Sequence, residues 1–280
     1  MRYMTFRNID EVDAIFAQGS RLPMLKILKK IVWTSKVAAS LPALLPIPAL
    51  RSLSIQDRPA LIAPPLVPHS NPSALQAFER AYIFGSAFDP ADLAALPSTI
   101  TRLSLRGFPP TNSGPVLQAI GRFVDTLTDL TLAFRSEAAT SSLELPVLPK
   151  MQRLTIDHHQ TPGVLDTAQP AFTDLGLIWS SYELQPASDV AHLGNVIRDH
   201  PGRFPALRTV VYSVKYGGPS EFPPCLPLDP DNSFYKRRTA ALFTHRATAL
   251  REVGLAFVDE LGIAWREEWD PGEPATEFLI

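Results

Sequence analysis

Between Ile100 and Leu105 the chain reads ITRLSL, an apolar residue followed by others three and five places on, and the same spacing returns eight more times. The copies are Leu28, Ile31, Trp33; Leu50, Leu53, Ile55; Phe78, Ala81, Ile83; Leu127, Leu130, Leu132; Met151, Leu154, Ile156; Phe172, Leu175, Leu177; Leu207, Val210, Tyr212; and Leu250, Val253, Leu255. Successive starts lie 22, 28, 22, 27, 24, 21, 35 and 43 residues apart. Residues two apart on an extended segment share a face, so each copy reads as a short strand with one apolar side. A single unit of this kind has nothing to bury that side against. Stacking the strands in parallel, with return segments behind them, makes one continuous core.

Most of these steps fall within or near the roughly 20 to 29 residues of a leucine-rich repeat. The expected fold class is therefore α/β: a leucine-rich-repeat solenoid with a curved parallel sheet on its concave side and irregular helices and loops on its convex side. One solenoid is expected over 1–280, with repeats from about 22 to 258, a loop insertion at 213–232 and a C-terminal segment at 259–280 that either caps the stack or hangs free. The 28 prolines are about twice the usual ~5% share and suit short strands joined by tight turns, because proline removes a helix donor. Helical spacing appears over Asn8–Gln18, over 112–126 behind Pro115, over 187–200 with Ser188 as cap, and over 233–246 with Ser233 as cap.

Hydrophobic residues make up 45% of the chain and charged residues 19%, which is a globular and not a disordered composition. The net charge of −2 provides no field to draw in nucleic acid or an acidic membrane. Residues 1–140 hold 14 Lys and Arg against 10 Asp and Glu, a net +4, which leaves −6 for the remainder. Cys225 is the only cysteine, so no disulfide forms within one chain, and a reducing compartment, cytoplasmic or nuclear, is expected. The apolar run from Val37 to Leu50 is 14 residues long with three prolines, too short and broken to span a bilayer. No leader-like N-terminal segment is read, and Pro72 spoils the glycosylation pattern at Asn71.

Three openings, IPALRSLSI at 47–55, LPKMQRLTI at 148–156 and FPALRTVVY at 204–212, share one pattern. On these the chain resembles the degenerate leucine-rich repeats that follow the F-box in many fungal F-box proteins. The resemblance covers roughly 28–258 and implies a partner-binding solenoid, with a ubiquitin-ligase adaptor as one possible associate. Two departures stand out. The regular family places asparagine three residues after the second strand leucine, where this chain has Lys36, Arg58, Ser86, Phe108, Arg135, His159, Ser180, Lys215 and Val258. The F-box itself, a helical module opening near a Leu-Pro pair, is not seen.

In the expected register the residues between the inward leucines line the concave face, and nine strands about 4.8 Å apart would make an arc roughly 40 Å long. The residues singled out there for partner binding are Arg80, Tyr82, Phe84, Arg102, Arg106, Asp129 and Arg153, because aromatics beside arginine are what interface anchors are made of. Solvated strand positions are the plain alternative. Asp157, His158 and His159 form the one metal-like cluster, but adjacent residues on a strand point opposite ways. Cys225 lacks an identifiable histidine partner, and Lys236, Arg237 and Arg238 read as a solvated helix face. No phosphate loop, nucleophile elbow or zinc-protease pair occurs. The expectation is a non-catalytic protein-interaction module with no cofactor, no metal and no nucleic-acid or membrane partner. A ubiquitin-ligase substrate receptor without a visible F-box is its alternative, and a metal-dependent hydrolase the remote one.

Overall fold

The computed structural model describes residues 29–33, 39–40, 49–56, 61–62, 75–81, 93–94, 96–108, 113–134, 144–157, 166–179, 188–200, 202–214 and 233–266. The chain divides into two compact units, Met1–Met151 and Gln152–Ile280.

In the first unit, strands β1 (Lys30–Trp33), β3 (Ser52–Gln56), β5 (Ala77–Ala81), β6 (Arg102–Phe108) and β7 (Asp129–Phe134) pair in sequence order, every pair parallel. Two short strands, β2 (Ala39–Ser40) and β4 (Leu61–Ile62), make a separate parallel pair. Helix α1 (Ser113–Ile120) and a 3-10 turn (Gly121–Phe123) carry the chain from β6 to β7. The sequence predicts one helix across this stretch; the α-helical part stops where Gly121, a poor helix former, follows Ile120. Val116, Ile120 and Phe123 are its buried face.

The second unit repeats the plan with β8 (Arg153–Asp157), β9 (Asp174–Trp179), β10 (Thr209–Val214) and β11 (Ala256–Val258), again in order and parallel. Its returns are longer: α2 (Ser188–Asp199) before β10 and α3 (Ser233–Glu252) before β11. Both helices fall where the sequence places them, and α3 runs one and a half turns further than 246. Each unit is thus a solenoid segment, one strand per repeat.

Register follows the apolar spacing in seven of the nine copies. Ile31, Leu53, Phe78, Leu103 and Leu130 stand side by side, as do Leu154, Leu175 and Val210, and all are buried. Each such leucine contributes about 1.5–3 kcal/mol relative to exposure.

Two copies are corrected. In β5 the inward positions are Leu75, Phe78 and Arg80, with Arg80 aligned to Ile55 and Leu105. The expected Phe78, Ala81, Ile83 is three residues out of step, because a search for apolar residues does not admit an arginine to the inward row. At the C-terminal end, Leu250 belongs to α3 and the strand begins at Ala256, with Phe257 opposite Val210. The spacing from Leu250 to Leu255 is a helix stop: Leu255 N–H donates to Leu250 O at 2.9 Å, Gly254 N–H donates to Arg251 O at 3.0 Å, and Gly254 has φ +79°. These are the two bonds of a Schellman cap, whose left-handed residue is usually glycine and whose flanking apolar pair mimics a strand spacing.

The turns that enter the strands are closed by backbone amides, threonine hydroxyls and proline. The amides of Arg51 and Ser52 donate to Lys29 O, those of Gln76 and Ala77 to Arg51 O, those of Thr101 and Arg102 to Gln76 O, and those of Thr128 and Asp129 to Thr101 O. Side-chain hydroxyls reinforce this ladder: Thr99 donates to Leu75 O at 2.8 Å and Thr126 can reach Ile100 O at 2.8 Å. In the turns closed by Met151 N–H to Leu148 O, Phe172 N–H to Gln169 O and Leu207 N–H to Phe204 O, the second residue is Pro149, Pro170 or Pro205. The fixed φ of proline suits that turn position.

After β11 the chain turns back on itself. Asp259 accepts from the amides of Leu261 and Ile263, Gly262 takes φ +80°, Val258 bridges Ala264 in antiparallel fashion, and Trp265 N–H reaches Phe257 O. Trp265 is buried against Phe243 at 5.2 Å between ring centroids and donates its indole N–H to Thr244. Residues 259–266 therefore cover the edge strand, which would otherwise present unpaired backbone groups. The remaining 267–280 lie outside the described residues.

Candidate functional site

Side chains that point away from the leucine rows fall into three rows across each sheet. In the first unit the leading row is Lys30, Ser52, Ala77, Arg102, Asp129; the middle row is Val32, Ser54, Glu79, Ser104, Thr131; and the last row holds Ala81, Arg106 and Ala133. In the second unit the rows are Arg153, Asp174, Thr209, Ala256; Thr155, Gly176, Val211, Val258; and Asp157, Ile178, Ser213.

Access differs from row to row. Arg102 and Arg153 are exposed, and Lys30, Asp129, Asp174 and Thr209 are half-buried. In the last row Ala133, Asp157, Ile178 and Ser213 are buried. The open part of the face is thus its leading row, at the N-terminal ends of the strands, and that row carries most of the charge.

Of the seven residues singled out in the sequence, three lie in this row: Arg102, Asp129 and Arg153. Arg106 lies outward in the last row and is half-buried; its Nε is shut off from solvent and has no hydrogen-bond partner among the described residues, as is true of Ser104 Oγ in the middle row. Just beyond Arg106 the register shifts at Gly107, whose φ of +77° marks a bulge. Arg80 is not on this face. It is only 1% exposed in the inward row between Ile55 and Leu105, so it is closed to a partner. Tyr82 and Phe84 lie outside the described residues, as do His158, His159, Cys225 and the triplet Lys236, Arg237, Arg238 to the extent of their side chains. Asp157, the described member of the metal-like cluster, is buried in the last row.

The carboxylates of the leading row are fixed by threonines. Thr128 Oγ1 lies 2.6 Å from Asp129 Oδ2 and 3.1 Å from Thr101 O. Thr173 Oγ1 lies 2.9 Å from Asp174 Oδ2 and 3.0 Å from Gln152 O. Asp174 also accepts from the Thr209 hydroxyl. In the middle row Glu79 accepts from Ser54 at 2.9 Å. The residue that sequence reasoning passed over is Asp174; its signal is the recurrence of Thr-Asp-Leu at 128–130 and 173–175, one copy per unit.

No family model matches this chain, and no curated protein does. No three histidine, cysteine, aspartate or glutamate side chains among the described residues are arranged to hold a metal ion, and no described helix is long and apolar enough to cross a membrane.

A separate polar cluster sits behind the strands of the second unit. Tyr212 occupies the inward row opposite Leu177, its ring edge-on to Phe243 at 4.8 Å. Burial raises its pKa above the usual 10.0, Arg246 on α3 opposes that shift, and Glu260 adds to it. Glu260 also accepts from the Ser213 hydroxyl. These groups face the helix side of the sheet or its last row, away from the leading row.

Proposed function

We propose that this chain is a non-catalytic, leucine-rich-repeat-type interaction module that binds a protein through the leading row of its outward strand face. The observation that carries this reading is the exposure of Arg102 in the first unit and Arg153 in the second, each beside an aspartate in contact with a threonine hydroxyl on hydrogen-bonded strands. Side chains on strands are held more closely than side chains on loops, and arginine is enriched among residues that dominate interface energies. Within this reading, the substrate-recognition half of an SCF-type ubiquitin-ligase receptor is the narrower version, supported by the shared openings at 47–55, 148–156 and 204–212.

Affinity capture of the tagged chain from its native cell type tests both versions, with mass spectrometry comparing wild type against Arg102→Glu/Arg153→Glu. A partner that drops tenfold or more in the variant supports the binding face. Co-recovery of ligase adaptor and cullin subunits supports the narrower version. Partners recovered equally with wild type and variant count against the face.

A further inference from the structure

We infer that the pairs Arg102/Asp129 and Arg153/Asp174 are two copies of one recognition element, each of which takes an uncharged carboxamide, the side chain of an asparagine or glutamine, from a protein partner. This rests on the reading of the outward face as a binding surface and names the chemistry that it recognises.

The two pairs agree contact by contact. Arg102 on β6 is the direct neighbour of Asp129 on β7, and Arg153 on β8 is the direct neighbour of Asp174 on β9. A threonine precedes each aspartate, with its hydroxyl 2.6 or 2.9 Å from Oδ2. The same hydroxyl lies 3.1 or 3.0 Å from the carbonyl of the residue before the arginine, Thr101 or Gln152. The hydroxyl has one proton, so at any moment it donates to one of these two acceptors, the aspartate or the carbonyl of the arginine's own strand. Elsewhere in the leading rows the neighbours are Lys30 with Ser52 and Thr209 with Ala256, which do not repeat the arginine–aspartate sequence.

What remains open at each pair is a donor beside an acceptor. Both arginines are exposed and, among the described residues, make no hydrogen bond or ion pair, while both carboxylates keep lone pairs that the threonines leave unused. An acidic side chain seated on the arginine would meet the aspartate, and a basic one seated on the aspartate would meet the arginine. A carboxamide carries its C=O and NH2 side by side: the oxygen accepts from the guanidinium, the nitrogen donates to the carboxylate, and no net charge is brought in. Asp174 has a second hydroxyl partner in Thr209, so the Asp129 carboxylate is the more open of the two acceptors.

The test is selection of a random-peptide display library on the full chain, followed by anisotropy titration of enriched peptides. The expected result is enrichment of asparagine or glutamine, with a tenfold or greater loss of affinity when that residue is replaced by glutamate, lysine or alanine. Arg102→Met and Arg153→Met should each weaken binding while leaving the unfolding curve unchanged. If the glutamate version binds as well or better, the arginines are plain cation sites, and the inference falls while the binding face stands. Should no peptide enrich, or should enriched peptides bind the double methionine variant unchanged, the binding-face reading falls with it. Adenine offers a similar donor-acceptor edge, so oligoadenylate is titrated alongside; tighter binding than any peptide would place the partner in another class and overturn the inference.

Discussion

The two units use the same strand and differ in what brings the chain back to start the next one. In the first, β3, β5 and β6 begin at 52, 77 and 102, and the returns between them are brief. In the second, the steps from β9 to β10 and from β10 to β11 widen to 35 and 47 residues, and the extra chain folds as α2 and α3. Apart from the bulge at Gly107, strand register is nonetheless continuous within each unit. The inward rows, and not the length of the return, set it: a slip by one residue would turn every leucine to the other face, whereas lengthening a loop costs only about 0.6 kcal/mol per doubling. Longer returns instead add burial of their own. Phe243 on α3 meets Tyr212, Phe257 and Trp265, joining two strands and the terminal turn through one ring.

That contrast is most exposed at Phe243. Phe243→Ala should cost about 3–5 kcal/mol, the range for emptying a large aromatic site, seen as a lower urea midpoint with loss of the buried-tryptophan fluorescence. If the aromatic hub were incidental, the midpoint would barely move. In the first unit, Arg80→Ala tests whether an arginine can serve as a row residue. The buried stem predicts a loss of about 2–4 kcal/mol by urea denaturation, whereas Arg102→Ala, on the exposed face of the neighbouring strand, should lie within about 0.5 kcal/mol of wild type. Equal costs for the two arginines would return β5 to its expected register.

Smaller effects separate the units further. Thr128→Val and Thr173→Val each remove one hydroxyl of the threonine ladder and should cost about 1 kcal/mol apiece by denaturation; a loss in only one unit would show that the ladder matters unequally. Tyr212→Phe should change how stability depends on pH above about 10. Because the folded pKa of Tyr212 is raised, the folded state holds its proton when the unfolded state has released it. Wild-type stability therefore falls as pH rises from about 10 through the folded pKa, and the phenylalanine variant lacks that part of the fall. Urea midpoints measured on both proteins from pH 8 to 11 check the sign.

Much of the fold could be read from spacing alone because leucine, isoleucine and valine at i, i+3 and i+5 have few other uses. The misreadings come from residues doing a job their type does not advertise. Arg80 fills an inward position with its aliphatic stem, and Leu250 with Leu255 flanks a helix cap at strand-like spacing. Turns built on threonine hydroxyls and Pro149, Pro170 and Pro205 were present in the sequence as a surplus of proline and as Thr-x-Thr at 99–101 and 126–128, but spacing does not say which carbonyl a hydroxyl will reach. At the candidate site, Arg102, Asp129 and Arg153 were legible as outward residues of correctly registered strands. Which rows stay open was not, since Ile178 and Ser213 alternate outward as faithfully as Arg153 and yet are buried.

The most direct test of the account is dicarbonyl labelling of arginine in the folded chain, read residue by residue by mass spectrometry against the urea-unfolded chain. The account predicts that Arg102 and Arg153 react in the folded protein nearly as fast as in the unfolded one, and that Arg80 reacts only after unfolding. Fast labelling of Arg80, or protection of Arg102 and Arg153, would contradict the assignment of inward and outward rows on which the proposed binding face rests.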